Sequence, residues 1–115
     1  MKLTKIEKNA LKDVQNILTK KYNENLILLK LFGSKARGDS LPLSDIDLLA
    51  VVEKDSWSVS DRMSDDIFNI IEKYDYEILI SLMVLDYAEF ALEKKIRTCF
   101  YENIEREGID LWKRN

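Results

Sequence analysis

A chain of 115 residues is enough for one domain with a real core and too short for two, so residues 1–115 read as a single domain. Hydrophobic residues make up 46% and charged residues 34%, with a mean hydropathy of −0.26, the profile of a soluble globular protein. A net charge of −3 and a pI near 5.1 exclude a nucleic-acid binder that works through bulk positive charge, and leave room for a nucleotide held at one local site.

The chain has no histidine. That removes Ser-His-Asp and Cys-His catalysis, His-ligated zinc and histidine phosphorelay chemistry. Acid–base work falls to carboxylates, lysines or tyrosines, and a metal would be held by oxygen ligands, which favours magnesium or manganese. Residues 1–25 hold no continuous apolar segment of the secretory kind, and no stretch approaches the ~18 apolar residues of a membrane span. The single cysteine, Cys99, cannot form an intrachain disulfide, so the expected location is cytoplasmic. Its neighbours Ile96, Phe100 and Ile104 suggest a small buried residue in a helix rather than a nucleophile.

In chain order, Thr4-Lys5-Ile6-Glu7 has the capping-box form and opens a helix from about Lys5 to Tyr22. Ile6, Ala10, Leu11, Val14, Ile17 and Leu18 make its apolar face, with Lys5, Lys8, Lys12, Lys20 and Lys21 mostly off it. Leu26–Phe32 is almost continuously apolar, as a strand buried on both faces should be. Gly33 breaks it, Ser34–Arg37 suits one helical turn, and Gly38 suits its stop. A loop through Pro42 leads to a second strand, Asp45–Val52, in which Asp45, Asp47, Leu49 and Val51 share one face. Glu53–Val59 reads as a connection with Trp57 folded back on the core, and Ser60 as the cap of a helix with Met63, Ile67, Ile70, Ile71 and Tyr74 as its stripe. A third strand spans Tyr76–Leu85, with Asp75, Glu77, Leu79 and Ser81 on one face. Asp86–Glu89 opens a further helical stretch, with a break near Thr98 and a stop at Gly108, and Ile109–Trp112 reads as a short edge strand.

The 33–44 connection is too long for a tight hairpin. Asp45 and Asp47, two apart on a strand, point the same way with Cα atoms about 6.5–7 Å apart, close enough for one cation or a metal pair. Two like charges at the mouth of a buried strand repel unless a cation neutralises them, and a divalent metal would also bridge to nucleotide phosphates. Gly33 lets a ligand approach the backbone, and a turn starting at Ser34 would offer N–H groups and a hydroxyl to an anion. Lys35 and Arg37 could add charge there. Arg37 reads equally well as the residue that holds Asp39 or Asp45. A third carboxylate would complete a two-metal site; Glu77 is the first candidate and Asp75 the reserve.

The stretch GSKARGDSLPLSDID, from Gly33 to Asp47, matches the Gly-Ser-x10-Asp-x-Asp signature of the DNA polymerase β-like nucleotidyltransferase superfamily. The chain resembles the minimal nucleotidyltransferases that act as antitoxins beside HEPN-domain toxins, and its segment Asn103–Trp112 looks like endings seen in that group. The resemblance implies an α+β fold, a small mixed sheet flanked by helices. It implies magnesium (or manganese) and ATP, with AMP passed to a tyrosine hydroxyl of the toxin. It matches Gly33 and Ser34 to the phosphate-binding pair, Asp45 and Asp47 to the metal ligands, and Glu77 to the third acid. Two other readings stand beside it: a non-catalytic module that masks its partner, and a transferase acting on a small molecule. No membrane contact and no direct nucleic-acid contact are expected, and assembly with itself or with another chain is left open.

Overall fold

The computed structural model describes residues 3–41, 44–54 and 57–114, with Trp57 described by its backbone alone. The expectations for Pro42 and for the Trp57 side chain lie outside the described residues. Helix α1 (Lys5–Lys21) starts at a capping box in which Thr4 and Glu7 satisfy each other's backbone N–H groups. Strand β1 (Leu26–Phe32) leads directly into α2 (Gly33–Arg37), a short helix closed by Gly38 in the left-handed conformation. There follow β2 (Ile46–Val52), α3 (Trp57–Lys73), β3 (Ile80–Asp86), α4 (Tyr87–Ile96), α5 (Cys99–Glu107) and β4 (Ile109–Lys113).

The four strands form one mixed sheet in the order β3-β2-β1-β4. β1 pairs antiparallel with β2 and β4, and β2 pairs parallel with β3. The continuous apolar character of β1 therefore matches an interior strand. Alternation in β2 sorts its side chains into two cores. Ile46, Leu48, Ala50 and Val52 pack with Leu29 and Leu31 of β1 against Ala10, Val14 and Leu18 of α1 and Met63, Ile67 and Ile70 of α3. Leu49 and Val51 face the other way, to Leu28, to Ile104 of α5 and to Phe90, with Phe32 and Phe100 edge to face at 5.8 Å. Each large side chain so buried contributes about 1.5–3 kcal/mol of transfer free energy.

Polar latches fix the α1/α3 layer at both ends. Tyr22 donates to Asp66 at 2.7 Å beside the Lys21–Asp66 pair, and Lys73 and Tyr74 both donate to Asp13. On the opposite face, Lys30 of β1 is buried between Glu105 of α5 and Asp110 of β4, each at 3.5 Å.

Three expectations are corrected. α3 begins at Trp57, so Ser60 lies inside the helix rather than capping it, and the connection after β2 is shorter than Glu53–Val59. β3 begins at Ile80 rather than Tyr76, because Asp75 and Tyr76 both take left-handed backbone angles (φ 56° and 60°) in a turn that no strand can continue through. Cys99 is exposed rather than buried, since it opens α5 immediately after the Thr98 cap. The end of α1, at Lys21 with Tyr22 as its cap, agrees with the expected one.

Candidate active site

β1 and β2 are antiparallel neighbours with Phe32 opposite Asp47, so the turn that follows Phe32 lies against the start of β2. Gly33 is at the contact. Its φ is +74°, and a Cβ built there would overlap Asp47 Oδ2. Glycine is thus required twice over, by the backbone angle and by the carboxylate resting on its Cα. α2 starts at this point, and no side chain among the described residues caps its N-terminus. Ser34 follows, half-buried. The strand pairing therefore brings Gly33-Ser34 and Asp47 together, and Asp45 stands just before β2, exposed, with Ile46 donating its N–H to the Leu79 carbonyl.

The Asp47 carboxyl titrates above the ordinary value of 3.8. Burial is the main cause and the Asp45 charge adds to it, while the Arg37 guanidinium opposes both. A half-buried carboxyl beside a second carboxylate, with little countercharge, is a donor set that a hard divalent cation satisfies. The two aspartates fit magnesium or manganese in kind. A bound cation and a proton would compete for Asp47. As pH falls through its raised pKa, affinity for Mn2+ should drop about tenfold per unit, starting at a higher pH than an unperturbed aspartate allows. A Mn2+ titration between pH 7 and 3 measures this, and an onset at or below 3.8 contradicts it.

The structure places the other predicted residues differently. Lys35 is not aimed at the site. It is buried and pairs at 2.8 Å with Glu7 of α1, which is itself buried. Burial alone would raise the Glu7 pKa, but hydrogen bonds from Lys35 and Thr4 outweigh it and the net shift is downward. The stabilisation is therefore present above 4.5 and is lost as pH falls through the lowered value. Removing one partner leaves a buried charge uncompensated, so Lys35→Met should cost about 3 kcal/mol in urea unfolding, and much of this should return in the Glu7→Gln/Lys35→Met double variant. The affinity of folded Lys35→Met for the expected nucleotide should not change; a tenfold loss would return the lysine to the phosphates.

Arg37 bonds Asp39 at 3.2 Å and reaches Glu107 of α5 at 3.4 Å, so of the two acids weighed for it the structure pairs it with Asp39. Its charge is still felt at Asp47. Glu77 is exposed in the turn ahead of β3, its N–H donating to the Tyr74 carbonyl, and Asp75 lies in the same turn. Among the described residues no three carboxylate, cysteine or histidine side chains come together as a metal group, so neither acid joins the Asp45–Asp47 pair.

Comparison with known proteins identifies the family. Residues 11–111 match the model of the nucleotidyltransferase domain family. The chain belongs to that family. Two proteins of Methanocaldococcus jannaschii, each named a "putative protein adenylyltransferase", are similar to this nucleotidyltransferase over nearly their whole length. One is 35% identical, covering 92% of this chain and 98% of its own, and the other is 32% identical, covering 96% and 100%. Among solved structures, a "putative nucleotidyltransferase" from Sulfolobus solfataricus superposes with a TM-score of 0.51 at 26% identity, over 98% of this chain and 91% of its own. A toxin–antitoxin structure with AMP-PNP superposes at 0.55 over 90% and 74%; at 18% identity it supports the fold alone.

This nucleotidyltransferase has one feature its sequence did not announce. A concavity of about 340 Å³ lies on the α4/α5 side of the sheet, lined by Lys30, Val51, Tyr87, Phe90, Lys94 and Tyr101 among others, and by neither Asp45 nor Asp47. Its walls come from β1, β2, β4, α4 and α5, so no local motif could reveal it. No described helix is long and apolar enough to cross a membrane.

Proposed function

We propose that this nucleotidyltransferase uses ATP and magnesium to transfer AMP to a hydroxyl of a partner protein, a tyrosine of a HEPN-type toxin, and so silences it. The observation that carries the reading is the placement of Asp47 against Gly33-Ser34 with Asp45 beside it. The names of the archaeal relatives favour a protein acceptor, and the likeness in fold to a toxin–antitoxin structure with AMP-PNP favours a toxin and an adenine nucleotide. Asp45 is exposed at the mouth of β2, a position open to a macromolecular acceptor.

In this scheme Asp45 and Asp47 hold the cation. The Ser34 hydroxyl and the first N–H groups of α2 orient the phosphates, and Arg37 adds positive charge nearby. The cation supplies charge neutralisation at the reacting phosphate. The acceptor oxygen forms a bond to the α-phosphorus, the bond from that phosphorus to the bridging oxygen breaks, pyrophosphate leaves, and the hydroxyl proton passes to a base or to water. The test is incubation with a HEPN-type toxin that forms a complex with this chain, Mg2+ and ATP labelled at the α-phosphate. Label on the partner, with a mass increase of one or more AMP groups, is expected. An intact, folded pair that acquires no label sinks the proposal, and protection of the cell that survives without label would identify a masking module.

A further inference from the structure

We infer that the described part of this chain builds a site for one divalent cation and not two, with Ser81 standing where a third carboxylate would have to be; the inference deepens the proposed function and rests on it. β2 and β3 are parallel and paired without a register shift over Ile46–Val52 and Ile80–Asp86. Asp47 is level with Ser81 and Leu49 with Met83, and side chains level with each other on paired strands share a face. Neighbouring strands are about 4.8 Å apart, so Ser81 is the β3 position nearest the Asp47 carboxyl. Along this face β3 and the residue before it present Leu79, Ser81 and Met83, all exposed and none acidic.

The nearest acids in sequence are committed elsewhere or out of reach. Asp86 caps α4, its Oδ1 accepting the Glu89 N–H at 2.8 Å. Glu77 precedes Ser81 by four residues, roughly 13 Å of extended chain, and follows directly on the left-handed pair Asp75-Tyr76. A second cation, the one that would activate the acceptor hydroxyl, therefore lacks its ligand. The base that takes the hydroxyl proton must come from the acceptor side or from solvent. Ser81 is small, exposed and on the outer strand, so an aspartate there fits without repacking.

Protein-bound Mn2+ counted by electron paramagnetic resonance, with a non-hydrolysable ATP analogue present, tests this. The wild-type chain should bind one Mn2+, Glu77→Gln and Ser81→Ala should still bind one, and Ser81→Asp should bind two. Two ions in the wild type, falling to one in Glu77→Gln, would overturn the inference and leave the proposed function standing. A Ser81→Asp chain with unchanged circular dichroism that still binds one ion would overturn the assignment of that position. A single wild-type ion that persists in Asp45→Asn/Asp47→Asn would remove the reading on which the inference depends.

Discussion

Replacing Asp45 and Asp47 together by asparagine should lower nucleotidyl transfer by about 10³-fold or more and should stabilise the metal-free chain. Loss of a single preorganised electrostatic group typically costs 10²–10³ in rate, and here the substitution removes every carboxylate that the described structure brings to the candidate cation site. The two losses will not add, because the aspartates act as one ligand set. Stability moves the other way. Asp47 is an acid whose folded pKa is raised, so the folded state holds its proton more tightly than the unfolded chain does. Its favourable contribution is present below the unfolded value and is lost as pH rises through the folded one, so at neutral pH the ionised, half-buried carboxylate weighs against the fold. Asparagine keeps the shape and removes the charge. A gain of about 1 kcal/mol, or ~4 °C in Tm, is in the usual range for relief of a functional-site conflict. Adding Mg2+ and a nucleotide analogue should reverse the order, because ligand linkage stabilises only the chain that binds them. Scanning fluorimetry with and without Mg2+ reads this crossing, and a double variant that responds to Mg2+ as the wild type does would refute it.

Gly33→Ala should be nearly as damaging to transfer and much harder on the fold. The position has φ +74°, where an L-residue with a Cβ is disfavoured by about 1–2 kcal/mol. Its new methyl also enters the space of Asp47 Oδ2, which must turn away or push β2 from β1. An error of about 1 Å in a reacting or ligating group can cost 10²-fold, so kcat/KM should fall by at least that factor in whatever protein remains folded. Gly38→Ala is the control. Its φ is +87°, so it carries the same kind of backbone strain, but among the described residues nothing lies within 4 Å of the added carbon. Gly38→Ala should therefore lose stability without a comparable loss of turnover. Equal losses in the two variants would mean that backbone strain, and not the Asp47 contact, explains Gly33.

The parts of the fold that follow local rules were open to reading from sequence. The Thr4 and Asp86 capping boxes, the buried β1, the Gly38 stop and the two-sided alternation of β2 each depend on residues within a few positions of one another. So does the pairing of Gly33-Ser34 with the aspartates, because one antiparallel register joins them. What failed depends on tertiary placement. Nothing beside Lys35 says that α1 will present Glu7 to it. The alternation of Tyr76–Leu79 continues the pattern of β3 smoothly, yet α3 has to reverse direction there, and it does so through Asp75 and Tyr76 with no glycine to mark the turn. That misreading also put Glu77 on the strand. The parallel pairing of β2 and β3, which makes Ser81 the neighbour of Asp47, belongs to the sheet and not to either segment.

The placement of β4 has a consequence for how the molecule comes together during synthesis. β1, α2 and β2 are consecutive, so the hairpin that carries the candidate site closes a short loop and can form early. β1's other neighbour is β4, which is made only after α3, β3, α4 and α5 have emerged. Until then β1 has an unpaired edge, and Lys30, whose buried ammonium lies between Glu105 and Asp110, has neither counterion. A nascent chain of this nucleotidyltransferase is thus most vulnerable to wrong pairing on the side away from its chemistry, and residues 109–113 end that interval.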